Sequence, residues 1–147
     1  MWRIAVGMAM GFLLLGPASA QQGPGWVTSQ NGCRAWNSVM QPNRTFTWSG
    51  GCEHGLVSGQ GVLQWYDDGV PGDRYEGEWR DGHENGRGVF LSAHGDRYEG
   101  QFKNDLPNGQ GSFRSVRGEV YSGTWSSGCF RDGDRRAAVG TSLAQCR

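Results

Sequence analysis

The stretch "RYEGEWRDGHENGRGVF" begins at Arg74 and "RYEGQFKNDLPNGQGSF" begins at Arg97, so the chain nearly repeats itself after 23 residues. A fixed period of this length marks a stacked architecture, in which each unit buries its apolar face only against its neighbours. Aligning on an aromatic-x-Gly-x-aromatic phrase gives "YEGEW" from Tyr75, "YEGQF" from Tyr98, "YSGTW" from Tyr121 and a degenerate "WSGGC" from Trp48. In the first three copies along the chain a second phrase follows: "SGQGVL" from Ser58, "NGRGVF" from Asn85 and "NGQGSF" from Asn108. The last copy dissolves into "GCFRDGDRR", as a terminal repeat does.

Within "YEGEW" the side chains alternate with period two, which belongs to a strand with unlike faces. Tyr75, Gly77 and Trp79 share one face, and Glu76 and Glu78 the other. The same parity groups Gly86, Gly88 and Phe90 on the aromatic face. Asp81-Gly82, and Asn104, Asp105 and Pro107 in the next copy, supply turn chemistry between the phrases. Each repeat therefore predicts a β-hairpin. Glycines in a strand make sense where a neighbouring ring lies over each of them. The expected fold is all-β: an elongated, single-layer, twisted antiparallel sheet of stacked hairpins.

These residues closely resemble the MORN repeat, whose pattern is YxGxWxxGxxxGxGxxxxxxGxxY. The resemblance covers roughly Trp48 to Gly133, with copies at 48, 75, 98 and 121. The segment from Gly32 to Gly69 also resembles the leading part of exported bacterial MORN-repeat proteins, where cysteines flank the first repeat. The resemblance implies an interaction role. It departs from the pattern at Cys52, which takes the second aromatic position, and at "WYDDGVPGD", which adds four residues and predicts a longer hairpin turn. A cap segment at 21–47 and a tail at 134–147 complete the expected organisation. The candidate binding surface is the aromatic face, Tyr75, Trp79, Phe90, Tyr98, Phe102, Tyr121 and Trp125, which suits an extended peptide, a glycan strand or a second copy of the chain.

The chain opens "MWRIAVGMAMGFLLLGPASA", with Arg3, a short apolar run and a small-x-small site at Ala18-Ser19-Ala20. This predicts a signal peptide over 1–20 with cleavage after Ala20, and a periplasmic or secreted product. Cys33, Cys52, Cys129 and Cys146 then read as two disulfides. Three connectivities are open, and nested sequence distance favours Cys33–Cys52 and Cys129–Cys146, one clamp for each end of the sheet. Basic and acidic residues balance at 14 each, which gives no field to gather nucleic acid; the resemblance to MORN repeats also implies a phospholipid or cell-wall surface binder as an alternative, a membrane association that this charge balance does not itself indicate. The expected partner is a protein or another component of the cell envelope.

Catalytic and cofactor motifs are weak. "SSGCFR" from Ser126 resembles the SxGCxR signature of L,D-transpeptidases, in which Cys129 is the nucleophile and Arg131 polarises the site. That alternative needs a free Cys129. His54, His83 and His94 lack metal-ligand spacing, so no metal is expected. The GxG phrases lack the lysine and helix start of a phosphate loop, so no cofactor is expected either. Asn43-Arg44-Thr45 is a glycosylation sequon, silent outside an endoplasmic reticulum. Glu76, Glu78, Arg80, Arg87, Glu99, Lys103 and Arg114 form a solvated outer face.

Overall fold

The computed structural model describes residues 24–39 and 41–147; the expected signal peptide lies outside them. The described chain is all-β, as the repeat predicts. Its strands are β1 (Gly25–Thr28), β2 (Arg34–Asn37), β3 (Arg44–Trp48), β4 (Gly51–Glu53), β5 (Leu56–Asp67) and β6 (Val70–Arg80), followed by β7 (His83–Leu91), β8 (Arg97–Lys103), β9 (Leu106–Arg114), β10 (Val120–Ser126), β11 (Cys129–Asp132) and β12 (Arg135–Ala138). One 3-10 turn, Leu143–Gln145, ends the chain. The strands form one open sheet in the order β1-β2-β5-β6-β7-β8-β9-β10-β11-β12, with β3 and β4 also paired to β5.

Tight turns link the hairpins at His54-Gly55, Asp68-Gly69, Asp81-Gly82, Asn104-Asp105 and Ser127-Gly128. Both residues of each have positive φ, which fits a type I′ turn and the right-handed twist of the strands. The residues "WYDDGVPGD" do not lengthen a turn, as expected from sequence. They extend β5 and β6 to 12 and 11 residues around the two-residue turn Asp68-Gly69.

Strand register explains why aromatics and glycines recur together. Leu63, Tyr75, Phe90, Tyr98, Phe113 and Tyr121 pair in one row across the sheet, and Gly61, Gly77, Gly88, Gly100, Gly111 and Gly123 pair in the next. Each large ring leans over the glycine row. A Cβ on Gly88 would meet the Tyr75 ring and hydroxyl, one on Gly111 the Tyr98 ring, and one on Gly61 the Trp48 ring. Leaning in this way also brings each tyrosine against the aromatic of the following repeat. Edge-to-face contacts run from Trp79 to Tyr75 (5.5 Å), Phe102 (4.9 Å), Tyr98 (5.0 Å) and Trp125 (5.2 Å), and a tilted contact carries the row on to Phe130 (5.4 Å). Such pairs add about 0.5–1.5 kcal/mol each beyond their burial.

Two expectations are corrected. The strict period of two fails inside β7, where a bulge lies between the Gly77–Gly88 and Trp79–Glu84 pairs. Gly86 consequently faces the outer surface and receives the Glu78 side chain, whose Oε2 accepts a hydrogen bond from the Arg87 N–H at 2.6 Å. Gln101 does the same for Gly109 and the Gln110 N–H at 2.8 Å. The sheet is also mixed rather than purely antiparallel, because β2 meets the start of β5 in a parallel pairing of Arg34 with Leu56. That pairing arises because the N-terminal hairpin turns aside to run along the ends of the repeats.

Candidate functional site

The tight turns of successive repeats form a rim. Gly82 N–H donates to Val57 C=O at 2.9 Å, Asp105 N–H to Glu84 C=O at 3.1 Å, and Gly128 N–H to Pro107 C=O at 2.8 Å. The first and the last of the described segments are laid on this rim. From one side, Arg34 N–H donates to Gly55 C=O (3.0 Å) and Trp36 N–H to Gly82 C=O (2.8 Å). From the other, Val139 N–H donates to Gly128 C=O (2.9 Å), and Gly140 packs close to Leu106. Two disulfides, Cys33–Cys52 and Cys129–Cys146, hold these end segments, and no free cysteine occurs among the described residues.

The two end segments converge over the middle repeats, where they leave a half-enclosed cavity of about 100 Å³. Trp36 and Val39 line it from the N-terminal side, Val139 and Gly140 from the C-terminal side, and Phe90 and Phe102 from the sheet. Its polar walls are Asn37, Ser38, Arg44, Asp73, Glu84 and Asp105.

Two departures from the repeat contribute to these polar walls. Val57, Pro107 and Phe130 show what the position two residues after each turn of this rim favours: all are buried and apolar. Glu84 occupies the same position and is only 9 % exposed. Asp105 stands where the other repeats have Gly55, Gly82 and Gly128, and it carries the left-handed φ of +69° that those glycines take more readily. Its carboxylate does what a glycine cannot: Oδ1 accepts the Glu84 N–H at 2.8 Å and Oδ2 lies 2.6 Å from His83 Nδ1. Backbone strain is thereby traded for a pair of anchoring contacts.

Arg44 is the third unexpected residue. Only 4 % exposed, it bonds Asp73 at 2.9 Å and Asn37 at 3.1 Å, lies 3.2 Å from Asp67, and stacks 4.6 Å from the Trp65 ring centre. The residues inserted in the first hairpin carry both aspartates. Asp73 is further fixed by accepting the Ala93 N–H at 3.0 Å.

Electrostatically, Glu84 is the unmatched member. Arg44 serves Asp67 and Asp73, and His83 serves Asp105, but among the described residues no hydrogen bond or ion pair reaches the Glu84 carboxyl. Burial, then the charges of Asp105 and Asp73, raise its pKa well above the usual carboxylate value. Burial raises Asp105 as well, against the lowering pull of His83 and the Glu84 N–H. The consequence for stability has a definite sign. Above the ordinary carboxylate range the unfolded chain releases the Glu84 proton while the folded chain keeps it, so stability falls as pH rises toward the folded-state value. One retained proton gives a slope of about 1.4 kcal/mol per pH unit. Glu84→Gln is expected to remove that slope and to be neutral at pH 4 but stabilising at pH 7, measured by urea unfolding across this range. An unchanged pH profile would refute a buried, protonated Glu84.

The aromatic residues expected to bind a partner are brought together, but mostly inward. Tyr75, Trp79, Tyr98, Phe102 and Trp125 are all buried, whereas Phe90 and Tyr121 are half-buried. The face therefore closes largely on itself as a core, and Phe90 and Tyr121 are its part-exposed margins. Cys129 is bonded to Cys146, which removes the thiolate that the transpeptidase alternative requires. The histidines do not gather: no metal-holding group of His, Cys, Asp and Glu occurs among the described residues.

A family model described as the MORN repeat matches residues 47–70, 75–97 and 98–120. No curated protein matches the chain. Three consecutive MORN repeats thus form the middle of this chain, between residues 47 and 120.

Proposed function

We propose that this chain is an exported, non-enzymatic interaction module that works in the periplasm or elsewhere in the cell envelope. The observation that carries the reading is the pair of disulfides clamping both ends of a repeat sheet. Such bonds persist in oxidising compartments, and small exported domains rely on them. A sheet of this kind presents a broad surface, and both disulfides keep its cysteines bonded among the described residues, which suits scaffolding. The half-buried Phe90 and Tyr121, with Phe113 between their strands, are the aromatic margin a protein or glycan partner would touch.

Fractionation with thiol labelling tests this reading. The native chain is expected in the soluble envelope fraction, beginning at Gln21 and taking up no maleimide until reduced. Recovery of a full-length, thiol-reactive protein from the cytosol would overturn it. Tyr121→Ala is then expected to weaken capture of envelope partners at least tenfold while the protein stays folded by circular dichroism.

A further inference from the structure

We propose that the cavity between the two end segments is a binding site for one organic ammonium ion, with the Glu84 carboxyl as its counter-ion and the aromatic walls as its sides. The inference goes beyond the interaction-module reading and does not depend on export.

The pairing of charges and the lining of the cavity point to a cation. Glu84 is nine-tenths buried, lines the cavity and has no hydrogen-bond partner among the described residues, so a cation entering the cavity would give its carboxylate the partner the fold does not supply. Aromatic rings surround it: Trp36, Trp65, Phe90 and Phe102 all reach the same cavity. Ring faces attract cations, and the stacking of Arg44 on Trp65 at 4.6 Å is an instance within this wall. The charges also leave a place open, since Arg44 and His83 are occupied by Asp67, Asp73 and Asp105, and Glu84 is left over. A volume of about 100 Å³ admits the end of a single side chain or a small amine and nothing larger.

Binding exchanges one cation for another. The groups facing Glu84 are Asp73 from β6, Asp105 from the β8–β9 turn with His83 behind it, and Arg44 from β3. When the ammonium enters, the Glu84 proton leaves to solvent, and the carboxylate pairs with the ligand. The apparent affinity then rises about tenfold per pH unit while free Glu84 is protonated, and levels off above its pKa.

Titration of the purified protein followed by tryptophan fluorescence tests this, because Trp36 and Trp65 both line the cavity. The probes are n-butylammonium, the methylamide of N-acetyl-lysine and the norleucine counterpart of the latter. The first probe is expected to saturate, more tightly at pH 7 than at pH 5, with proton release detected by calorimetry in buffers of different ionisation enthalpy. Binding of the lysine probe as well assigns a peptide side chain as the source; binding of butylammonium alone assigns a free amine. Glu84→Gln is expected to weaken binding at least tenfold and flatten its pH dependence, with unfolding measurements confirming that this variant stays folded. No saturable binding of either amine, equal binding of the norleucine probe, or full affinity in Glu84→Gln would overturn the assignment.

Discussion

Tyr98→Ala is expected to destabilise the fold by about 3–5 kcal/mol, the range for removing a large buried aromatic side chain. Tyr98 is completely buried and touches both neighbours in the stack, with Phe102 at 5.0 Å and Trp125 at 5.2 Å. Its hydroxyl donates to Gln101 C=O at 3.1 Å. The ring fills the space above Gly111, and a glycine has no side chain that relaxes into the gap. The loss therefore includes a cavity as well as buried area. A repeat stack is held together by nearest neighbours, so removing a ring from the middle also uncouples its halves. Urea unfolding is expected to show a lower midpoint and a broader, less cooperative transition, whereas Tyr98→Phe keeps the ring and loses about 1 kcal/mol. A loss in Tyr98→Ala no larger than in Tyr98→Phe would mean that the aromatic row is not the core.

Much of this fold was legible in the repeat itself. A period of 23 residues, strand alternation and turn chemistry at Asp81-Gly82 are all local signals, and each was realised as a hairpin. The failures share one character: each depends on contacts between strands or segments that are distant along the chain. Whether the aromatic face stays open is decided by how far each ring leans and what is laid over it, and spacing does not encode either. The bulge that turns Gly86 outward is a two-strand property, invisible along one strand. The candidate site was missed because Glu84 and Asp105 look like ordinary polar residues in hairpin turns. Their signal becomes plain only across copies, where Glu84 replaces Val57, Pro107 and Phe130, and Asp105 replaces a glycine. Arg44 had no such signal. It lies before the first copy, so no other repeat has a matching position to compare with it.

Opening both disulfides is expected to be the most destabilising change of all, at about 6 kcal/mol. The bonds join residues 19 and 17 positions apart, and the chain-entropy model assigns about 3 kcal/mol to each loop of this size. That sum rivals the whole stability of a typical domain, about 5–15 kcal/mol. The location matters as much as the number. The N-terminal hairpin meets β5 through the single parallel pairing of Arg34 with Leu56, and β12 has only β11 as a neighbour. Neither end segment has enough sheet partners to stay docked alone. Their release would bare the strand edges they shield and invite association between chains. It would also expose the Glu84 cavity, because Trp36 and Val39 come from one end segment and Val139 and Gly140 from the other. Thermal unfolding with and without reductant is the test. Each single disulfide-free variant, Cys33→Ser with Cys52→Ser or Cys129→Ser with Cys146→Ser, is expected to melt on the order of 10 °C lower. Both are also expected to lose the Glu84-dependent fall of stability with pH, since solvent then reaches the carboxyl and returns its pKa toward the ordinary range. A variant that melts lower yet keeps that pH dependence would show that its end segment does not wall off Glu84.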